Sequence, residues 1–159
     1  MNRSEEDYIK ALYSLEETIP EGKAVSNSRL TERLGHTAQT VNEMIRRLER
    51  KGLVIYRPYR GSRLTDLGRA EAVRMTRVHR LWELFLVQHL RYSWDDVHEE
   101  AERLEHATSE HLAQALYRFL GEPSTCPHGQ EIPVFAEEMS SLPSKKQSRR
   151  TRTKNESDK

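Results

Sequence analysis

The chain has 159 residues, enough for one domain of ordinary size or two small ones that share a core, and its formal net charge is +1. It contains no apolar run of about 18 residues, which argues against a membrane-spanning helix. Cys126 is its single cysteine, which excludes an internal disulfide and an all-cysteine metal site. The N-terminus is polar and lacks the apolar segment of a signal peptide, so a reducing cytoplasm is the expected location.

The charges are unevenly distributed along the chain. Residues 1–74 hold 14 lysines and arginines against 11 aspartates and glutamates, whereas residues 75–143 hold 5 against 12. A basic N-terminal part fits a polyanionic partner, and an acidic middle part fits either a cation site or an ordinary solvated surface. Residues 144–159 hold 7 basic against 2 acidic residues without apolar periodicity, and the sequence predicts a basic disordered tail over residues 141–159.

The first predicted helix begins at Ser4, a suitable N-cap, and carries an apolar stripe. Asp7 follows that cap by three residues, so it could serve as a capping acid without any metal. After a loop, two short helices are predicted, the first capped by residues 26–28 and the second opened by residues 37–40. The second short helix should end at Gly52 as a left-handed cap.

Two short strands complete the N-terminal part, with residues 53–56 as the first strand, residues 57–62 as a turn and residues 63–65 as the return. Helix, short helix, turn, helix and a two-stranded wing is the order of elements in a winged helix-turn-helix. The fold class is therefore predicted as mainly α, with an N-terminal winged helix-turn-helix followed by a helical part.

The helical part begins with a long helix of roughly six turns from Asp66. A capping signature at residues 93–96 opens the next helix, and Ser109 caps the last one, with Leu112 among the side chains expected to face inward. Residues 122–143 are rich in proline and are predicted as a loop.

The second short helix exposes polar side chains that can reach base edges in a major groove, followed by arginines suited to phosphates. The wing adds three further arginines beside a glycine, which allows the backbone to approach a duplex closely. The predicted DNA-binding residues are Thr37, Gln39, Thr40, Asn42, Glu43, Arg46, Arg47, Arg50, Arg57, Arg60 and Arg63. The alternative for the helix arginines is an ordinary solvated helix end, where cations are stabilising in any case.

The most unusual segment covers residues 98–106, which as a helix would put two imidazoles and two carboxylates on one face. These four residues are His98, Glu102, Glu105 and His106. The combination suggests a divalent cation, and a solvated acidic face is the alternative. His79 and Glu83 stand four residues apart on the long helix, a second ligand spacing that a helix salt bridge would also explain.

The ligand types limit the metal and its chemistry. Oxygen and imidazole ligands suit Mn(II), Fe(II) or Zn(II) and disfavour Cu(I). A catalytic zinc site is not expected, because residues 98–102 lack the second histidine of an HExxH motif. A di-iron bundle would need a glutamate three residues before His106, where the chain has Arg103. No nucleophile or other catalytic motif is evident, so the chain is not expected to be an enzyme.

The chain resembles the diphtheria toxin repressor family of metal-dependent transcriptional regulators, which includes a manganese transport regulator branch. The resemblance extends from about Ser4 to Pro133. It is carried by DYIKALY at residues 7–13, RLERKGLV at 47–54, LTDLG at 64–68, HRLWE at 79–83 and VHEEAERLEH at 97–106. The segment CPHGQEIP at residues 126–133 is similar to the proline-glycine segment that follows the last helix in the family.

The resemblance implies a homodimeric repressor of metal-uptake genes that grips operator DNA when Mn(II) or Fe(II) is bound. It implies a winged helix over residues 1–74 and a helical metal-binding and dimerisation domain over residues 75–140. Carried onto this sequence, one metal site would use Asp7, Glu102, Glu105 and His106, and a second would use His79, Glu83 and His98. The iron branch has Met and Cys where this chain has the carboxylates Asp7 and Glu102, so Mn(II) is expected, with Fe(II) as the alternative. Zn(II), Co(II) and Ni(II) are expected to substitute in vitro.

Two departures from the family pattern stand out. Lys10 occupies the position of a glutamate in the manganese branch, which argues against the closely spaced two-metal cluster of that branch. The chain also resembles a short form without the C-terminal SH3-like domain that lends ligands to the second site. Water, or a group such as His128 or Glu131, would then complete that site. Two other functions remain open at this point: a winged-helix regulator that answers to an organic ligand, and a metal-binding protein without DNA function.

Overall fold

The computed structural model describes residues 1–134, so the predicted tail at residues 141–159 lies outside the described residues. Within that range, the chain forms six helices and one two-stranded antiparallel sheet. The helices are α1 Arg3–Glu16, α2 Asn27–Leu34, α3 Ala38–Arg50, α4 Asp66–Leu90, α5 Val97–Glu105 and α6 Glu110–Phe119, and the strands are β1 Val54–Arg57 and β2 Gly61–Leu64. The mainly α class and the order of elements agree with the sequence prediction.

Helix α1 begins earlier than the sequence predicts. Asn2 is its N-cap, because Asn2 Oδ1 accepts a hydrogen bond from the Glu5 amide at 3.0 Å and the Glu5 carboxylate accepts one from the Asn2 amide at 3.0 Å. Glu5 is buried and also pairs with Lys51 at 2.8 Å. This reciprocal capping box makes the prediction of Ser4 as the cap and Asp7 as the capping acid wrong. Asp7 therefore has no capping role in α1.

Helices α1, α2 and α3 enclose one apolar core together with the sheet. The largest fully buried apolar side chains of this core are Tyr8, Ile9, Leu12, Leu30, Ile45 and Leu48. They come from all three helices at helical spacing, so each helix buries one face and exposes the other. The exposed face of α3 is the face that carries the predicted base-reading side chains.

The wing is tighter than the sequence predicts. Strands β1 and β2 pair in a register that sets Val54 opposite Leu64 and Arg57 opposite Gly61. The turn between them is therefore residues 58–60 rather than the predicted 57–62. Gly61 has a φ of +105°, and a Cβ at this position would lie 2.2 Å from the carbonyl oxygen of Val25. The reason is a backbone bridge in which Val25 and Ser62 exchange hydrogen bonds of 2.8 Å. Glycine is therefore required at the base of the wing.

Helix α4 runs for 25 residues without a break across the predicted domain boundary between residues 74 and 75. It packs against α1 on the N-terminal side and against α5 and α6 on the C-terminal side. Ala72 belongs to the N-terminal core, whereas Val78, Leu81 and Leu84 belong to a second core shared with α6. The long helix thus connects the two halves of the described chain as one continuous element.

Helix α6 begins after Ser109 as predicted, but its buried face differs from the prediction. Leu112 is 44% exposed, whereas Leu116 is buried as predicted, together with Ala113 and Tyr117. The prediction for Leu112 is wrong because the buried face of α6 passes through residues 113, 116 and 117, and residue 112 lies outside that face.

The segment after α6 folds back onto α4 and positions its side chains against it. The Cys126 amide donates a hydrogen bond of 2.8 Å to the Gln130 carbonyl, which closes a tight turn. Arg77 of α4 donates to the Val134 carbonyl at 3.0 Å, and Arg80 donates to the Glu131 carbonyl. Among the described helices, none is long and apolar enough to cross a membrane.

Candidate metal centre

The first candidate cluster lies where α1 meets the end of α5. One ligand atom each from Asp7, Glu105 and His106 lies within 4.8 Å of the others. His106 Nε2 is 3.1 Å from Asp7 Oδ1 and 3.6 Å from Glu105 Oε1. Three of the four residues predicted for the first site are therefore brought together, and they come from the two halves of the chain.

Glu6 orients the imidazole of His106. The Nδ1 of His106 lies 2.5 Å from Glu6 Oε2, which accepts its hydrogen, and Arg74 of α4 lies 3.6 Å from the same carboxylate. With Nδ1 donating, Nε2 of the neutral ring carries a lone pair that faces Asp7. A carboxylate behind the imidazole is the usual device that aims a histidine at a metal. Sequence reasoning missed Glu6, which lies next to Asp7 but is 100 residues away from its partner.

The surroundings of His106 fit a divalent cation. Within residues 1–134, its Nε2 is buried and has no hydrogen-bond partner. Two lone pairs that face each other at 3.1 Å repel unless a proton or a cation lies between them. Burial also raises the pKa of Asp7 above its ordinary value, because the ionised carboxylate is disfavoured away from water. Two carboxylates and one imidazole form a donor set suited to a hard or borderline ion.

Glu102, the fourth residue predicted for the first site, lies apart from the cluster. Its side chain is 44% exposed, and Oε1 lies 3.5 Å from Nε2 of His98. Glu102 nevertheless faces the same cleft as Asp7, a cavity of about 770 Å³ between α1 and the helical part. Its place in the site stays a prediction.

The second candidate cluster joins α4 to α5 as the sequence predicts. His79 Nε2 lies 3.1 Å from Glu83 Oε1 and 3.0 Å from His98 Nδ1. His98 Nδ1 lies 3.4 Å from the same Glu83 oxygen. All three ligand atoms fall within 4.8 Å, and His79 and Glu83 are buried whereas His98 is exposed.

A third cluster forms where the segment after α6 returns to α4. Glu83 Oε2 lies 3.3 Å from Nδ1 of His128, and the thiol of the buried Cys126 lies within 4.8 Å of both ligand atoms. His128 was one of the two residues predicted to complete the second site. Glu131, the other, contacts α4 through its backbone carbonyl. Sequence reasoning did not include Cys126, although the spacing Cys-x-His in a short loop was a usable signal.

Hydrogen bonds link the three clusters into one network. Glu105 Oε2 lies 2.6 Å from His79 Nδ1, which joins the first cluster to the second, and Glu83 belongs to both the second and the third.

Burial disfavours the ionised Glu105, but the hydrogen bond from His79 and the charge of Lys10 outweigh it and hold the pKa of Glu105 below its ordinary value. Burial lowers the tendency of His79 to be charged, yet Glu105 and Glu83 raise its pKa above the ordinary value.

All eleven predicted DNA-binding residues are exposed on α3 and the wing. Some also have structural partners: the hydroxyl of Thr37 caps α3, Gln39 donates to Glu43 at 2.9 Å, and the guanidinium of Arg46 stacks on the ring of Tyr56 at 4.3 Å. The stacking gives Arg46 a structural contact with the wing, and its role as a phosphate contact stays a prediction. The other arginines stay predictions as DNA contacts.

Two exposed residues at or beside the wing were missed by sequence reasoning. A concave surface of about 540 Å³ is lined by the three predicted wing arginines and also by Lys23 from the loop before α2. Tyr59 at the wing tip is fully exposed and has a φ of +62°, an uncommon conformation for a residue with a side chain. The result is a basic surface next to α3 with an aromatic ring at its tip.

Two family models together match nearly all of the described residues. The family model "Iron dependent repressor, N-terminal DNA binding domain" matches residues 1–62, and the model "Iron dependent repressor, metal binding and dimerisation domain" matches residues 65–134. The iron-dependent repressor IdeR of Mycobacterium tuberculosis is 39% identical over 132 residues, which cover 83% of this chain and 56% of that protein. The chain thus spans little more than half the length of the curated relatives it matches.

Solved structures agree with the sequence comparisons. A manganese-dependent transcriptional repressor in complex with manganese has a TM-score of 0.72 and is 44% identical, with 82% of this chain and 58% of that chain covered. The structure of ScaR with bound Zn2+ has a TM-score of 0.71 and is 38% identical, with 82% of this chain and 59% of that chain covered.

Proposed function

Because the chain belongs to the iron-dependent repressor family, we propose that it is a metal-dependent DNA-binding transcriptional regulator that represses metal-uptake genes. One observation carries this proposal. Asp7 of the DNA-binding half lies close to Glu105 and His106 of the helical half, and Nε2 of His106 is buried without a hydrogen-bond partner among the described residues. A divalent ion at this junction would tie the two halves together. Such a regulator would act in the cytoplasm, where its operator DNA lies.

Asp7, Glu105 and His106 would hold the regulatory ion, with Glu102 as a fourth ligand that reaches it from the shared cleft. The ion would supply a positive charge that the two carboxylates and the imidazole share. In this chain, Glu6 holds the imidazole of His106 in place, and α1 carries Asp7 to the junction. Metal stabilises the arrangement in which it has more ligands, so binding shifts the protein toward that arrangement.

Helix α1 also contacts the helix-turn-helix directly. The hydroxyl of the buried Tyr8 lies 2.7 Å from Nδ1 of His36, in the turn between α2 and α3. A change in the position of α1 would therefore reach the start of the recognition helix. In a homodimer, the metal would set the distance between the two copies of α3 to one turn of DNA, roughly 34–36 Å.

We also propose that residues 1–74 act as the DNA-binding domain and residues 75–140 as the metal-binding and dimerisation domain. Leu90, Leu112 and Phe119 are 55%, 44% and 63% exposed on α4 and α6. Apolar side chains of this size on neighbouring helices fit a surface that a second copy covers.

Mn(II) is the proposed ion of the Asp7 cluster, because carboxylate and imidazole donors suit it, and Fe(II) is the alternative. The cluster of Glu83, Cys126 and His128 contains a thiol and would accept a softer ion. Relatives named for iron and for manganese both support a cation of this class. Zn(II), Co(II) and Ni(II) are expected to substitute in vitro.

The decisive experiment measures operator binding by fluorescence anisotropy with DNA from a candidate metal-uptake promoter, without metal and with Mn(II), Fe(II) or Zn(II). The wild type should bind tightly only with metal. His106→Ala and Glu102→Ala should lose the metal response and keep the fold, and His111→Ala, an exposed histidine on α6, is the matched control. Tight binding by His106→Ala that is equal with and without metal would refute the proposal. Metal-indifferent binding by the wild type would favour a regulator that answers to an organic ligand.

A further inference from the structure

Lys10 lies inside the first cluster, one turn after Asp7 on α1. Its ammonium donates a hydrogen bond of 2.7 Å to Glu105 Oε1, and that is the oxygen that faces His106 Nε2 at 3.6 Å. The other oxygen of Glu105 lies 2.6 Å from His79 Nδ1. Both oxygens of Glu105 are therefore engaged, and the one that faces the metal cluster is held by an ammonium group.

This ammonium compensates a charge that the fold has buried. The side chain of Glu105 is fully shielded from solvent, and an isolated buried carboxylate would be strongly unfavourable. Lys10 is itself 21% exposed, so its ammonium pays a smaller desolvation cost than the carboxylate that it neutralises. The bond between Lys10 and Glu105 also connects α1 to α5, the two elements that the cluster joins.

A metal ion and the Lys10 ammonium cannot both hold Glu105 Oε1 in this geometry. An ion bound by Asp7, Glu105 and His106 would lie within a few ångströms of the ammonium, and the two positive charges would repel each other. The ammonium has somewhere to go, because Lys10 lines the 770 Å³ cleft that also contains Asp7 and Glu102.

We propose that Lys10 is a built-in counter-cation of the Asp7–Glu105–His106 cluster, which a divalent ion must displace from Glu105. Lys10 satisfies Glu105 when no metal is present and thereby sets the metal concentration at which the protein responds. This inference rests on the proposed function, since it concerns the affinity of that same site.

A purely structural role for Lys10 makes the opposite prediction. If the bond only holds α1 against α5, its removal loosens the cluster and weakens metal binding. If the ammonium competes with the ion, its removal strengthens metal binding, although the metal-free protein becomes less stable. The sign of the change in metal affinity therefore decides between the two roles.

The test compares wild type, Lys10→Met and Lys10→Arg by calorimetric titration with Mn(II) in the absence of DNA, together with thermal melting with and without Mn(II). Lys10→Met keeps the length of the side chain and removes its charge, and it should bind Mn(II) about tenfold tighter or more. It should also melt at a lower temperature without metal and show a larger shift on adding Mn(II). Lys10→Arg keeps the charge and should behave like the wild type.

Unchanged or weaker Mn(II) binding by a folded Lys10→Met would overturn the inference. Lys10→Gln, which keeps a polar side chain, gives the same readout if Lys10→Met does not fold. His106→Ala in the same titration separates this inference from the proposed function. If His106→Ala leaves Mn(II) binding unchanged, the site itself is wrong and both fail. If it abolishes binding while Lys10→Met leaves the affinity unaltered, only the role of Lys10 is wrong.

Discussion

At the scale of single residues, the candidate centre depends on which atom each side chain presents. The imidazole of His106 presents Nε2 because Glu6 accepts from Nδ1, and Glu105 presents Oε1 because His79 occupies Oε2. Glu6 and His79 therefore determine which ligand atoms face the cluster, although neither belongs to it. They also keep several charges buried in the metal-free protein, which has consequences for its stability at different pH values.

Glu83 should make the metal-free protein sensitive to acid. Burial disfavours the ionised carboxylate, but hydrogen bonds with His79 and His98 outweigh it and lower the pKa of Glu83 to about 2 from the ordinary 4.5. Its stabilising effect is therefore present above pH 4.5 and is lost as the pH falls toward 2. Chemical denaturation at a series of pH values should show this loss in the wild type and a flatter dependence in Glu83→Gln.

Glu122→Gln, at an exposed position after α6, is the control and should follow the wild type. Parallel curves for Glu83→Gln and the wild type across this acid range would contradict the prediction.

At the scale of elements, α1 serves as the part that connects metal to DNA. Within one turn it places Asp7 at the metal cluster, Tyr8 against His36 and Lys10 on Glu105. Residues 7 and 10 share one face of the helix, whereas residue 8 faces the N-terminal core. A single rigid helix can therefore contact the metal site and the helix-turn-helix at the same time.

Tyr8→Phe should weaken the connection between α1 and the helix-turn-helix while leaving the metal site intact. The variant keeps the buried ring and loses the hydrogen bond to His36, which should cost about 1 kcal/mol of unfolding free energy. Operator affinity at saturating Mn(II) should fall, whereas Mn(II) affinity measured without DNA should stay the same.

Tyr13→Phe on the same helix is the matched control and should bind the operator like the wild type. Equal operator affinities for Tyr8→Phe and Tyr13→Phe would mean that the hydroxyl of Tyr8 plays no part in DNA binding.

At the scale of the whole molecule, the two halves differ in charge and are connected by one long helix. The basic surface of the wing lies in the N-terminal half, the first cluster lies where the two halves meet, and the other two clusters lie within the acidic half. Helix α4 connects the halves without a break, and Gly68 lets its first turn approach β1 closely, since a Cβ there would lie 2.0 Å from the Leu53 carbonyl oxygen. A contact formed between α1 and α5 can thus affect the position of the DNA-binding surface.

Arg60→Ala should weaken DNA binding to a similar extent for all sequences. Arg60 is exposed on the wing and lines its basic surface, so it is expected to contact phosphate rather than a base edge. Its removal should reduce the slope of log affinity against log salt concentration by roughly 1. Arg118→Ala, at an exposed position on α6, is the control and should leave the slope unchanged. A loss of affinity for the operator alone, with unchanged salt dependence, would show that Arg60 reads sequence.

The sequence by itself determined the elements and their order, and it predicted several side chains that the fold brings together. The four-residue separations of His79 from Glu83 and of His98 from Glu102 appear in the fold as side-chain contacts, because both patterns are local to one helix. The prediction from local sequence was wrong at the start of α1, where Asn2 and Ser4 are both suitable N-cap residues and Asn2 is the actual cap.

Only the tertiary structure decided what surrounds those ligands. The contacts of Glu6 with His106 and of Lys10 with Glu105 span 100 and 95 residues, and Cys126 reaches Glu83 through a loop that has no periodic pattern. Glu102 contacts His98 and is not among the ligand atoms of Asp7, Glu105 and His106 that lie within 4.8 Å of one another. Hydrogen bonds between distant segments depend on how the helices pack, and helix packing leaves no regular spacing in the sequence.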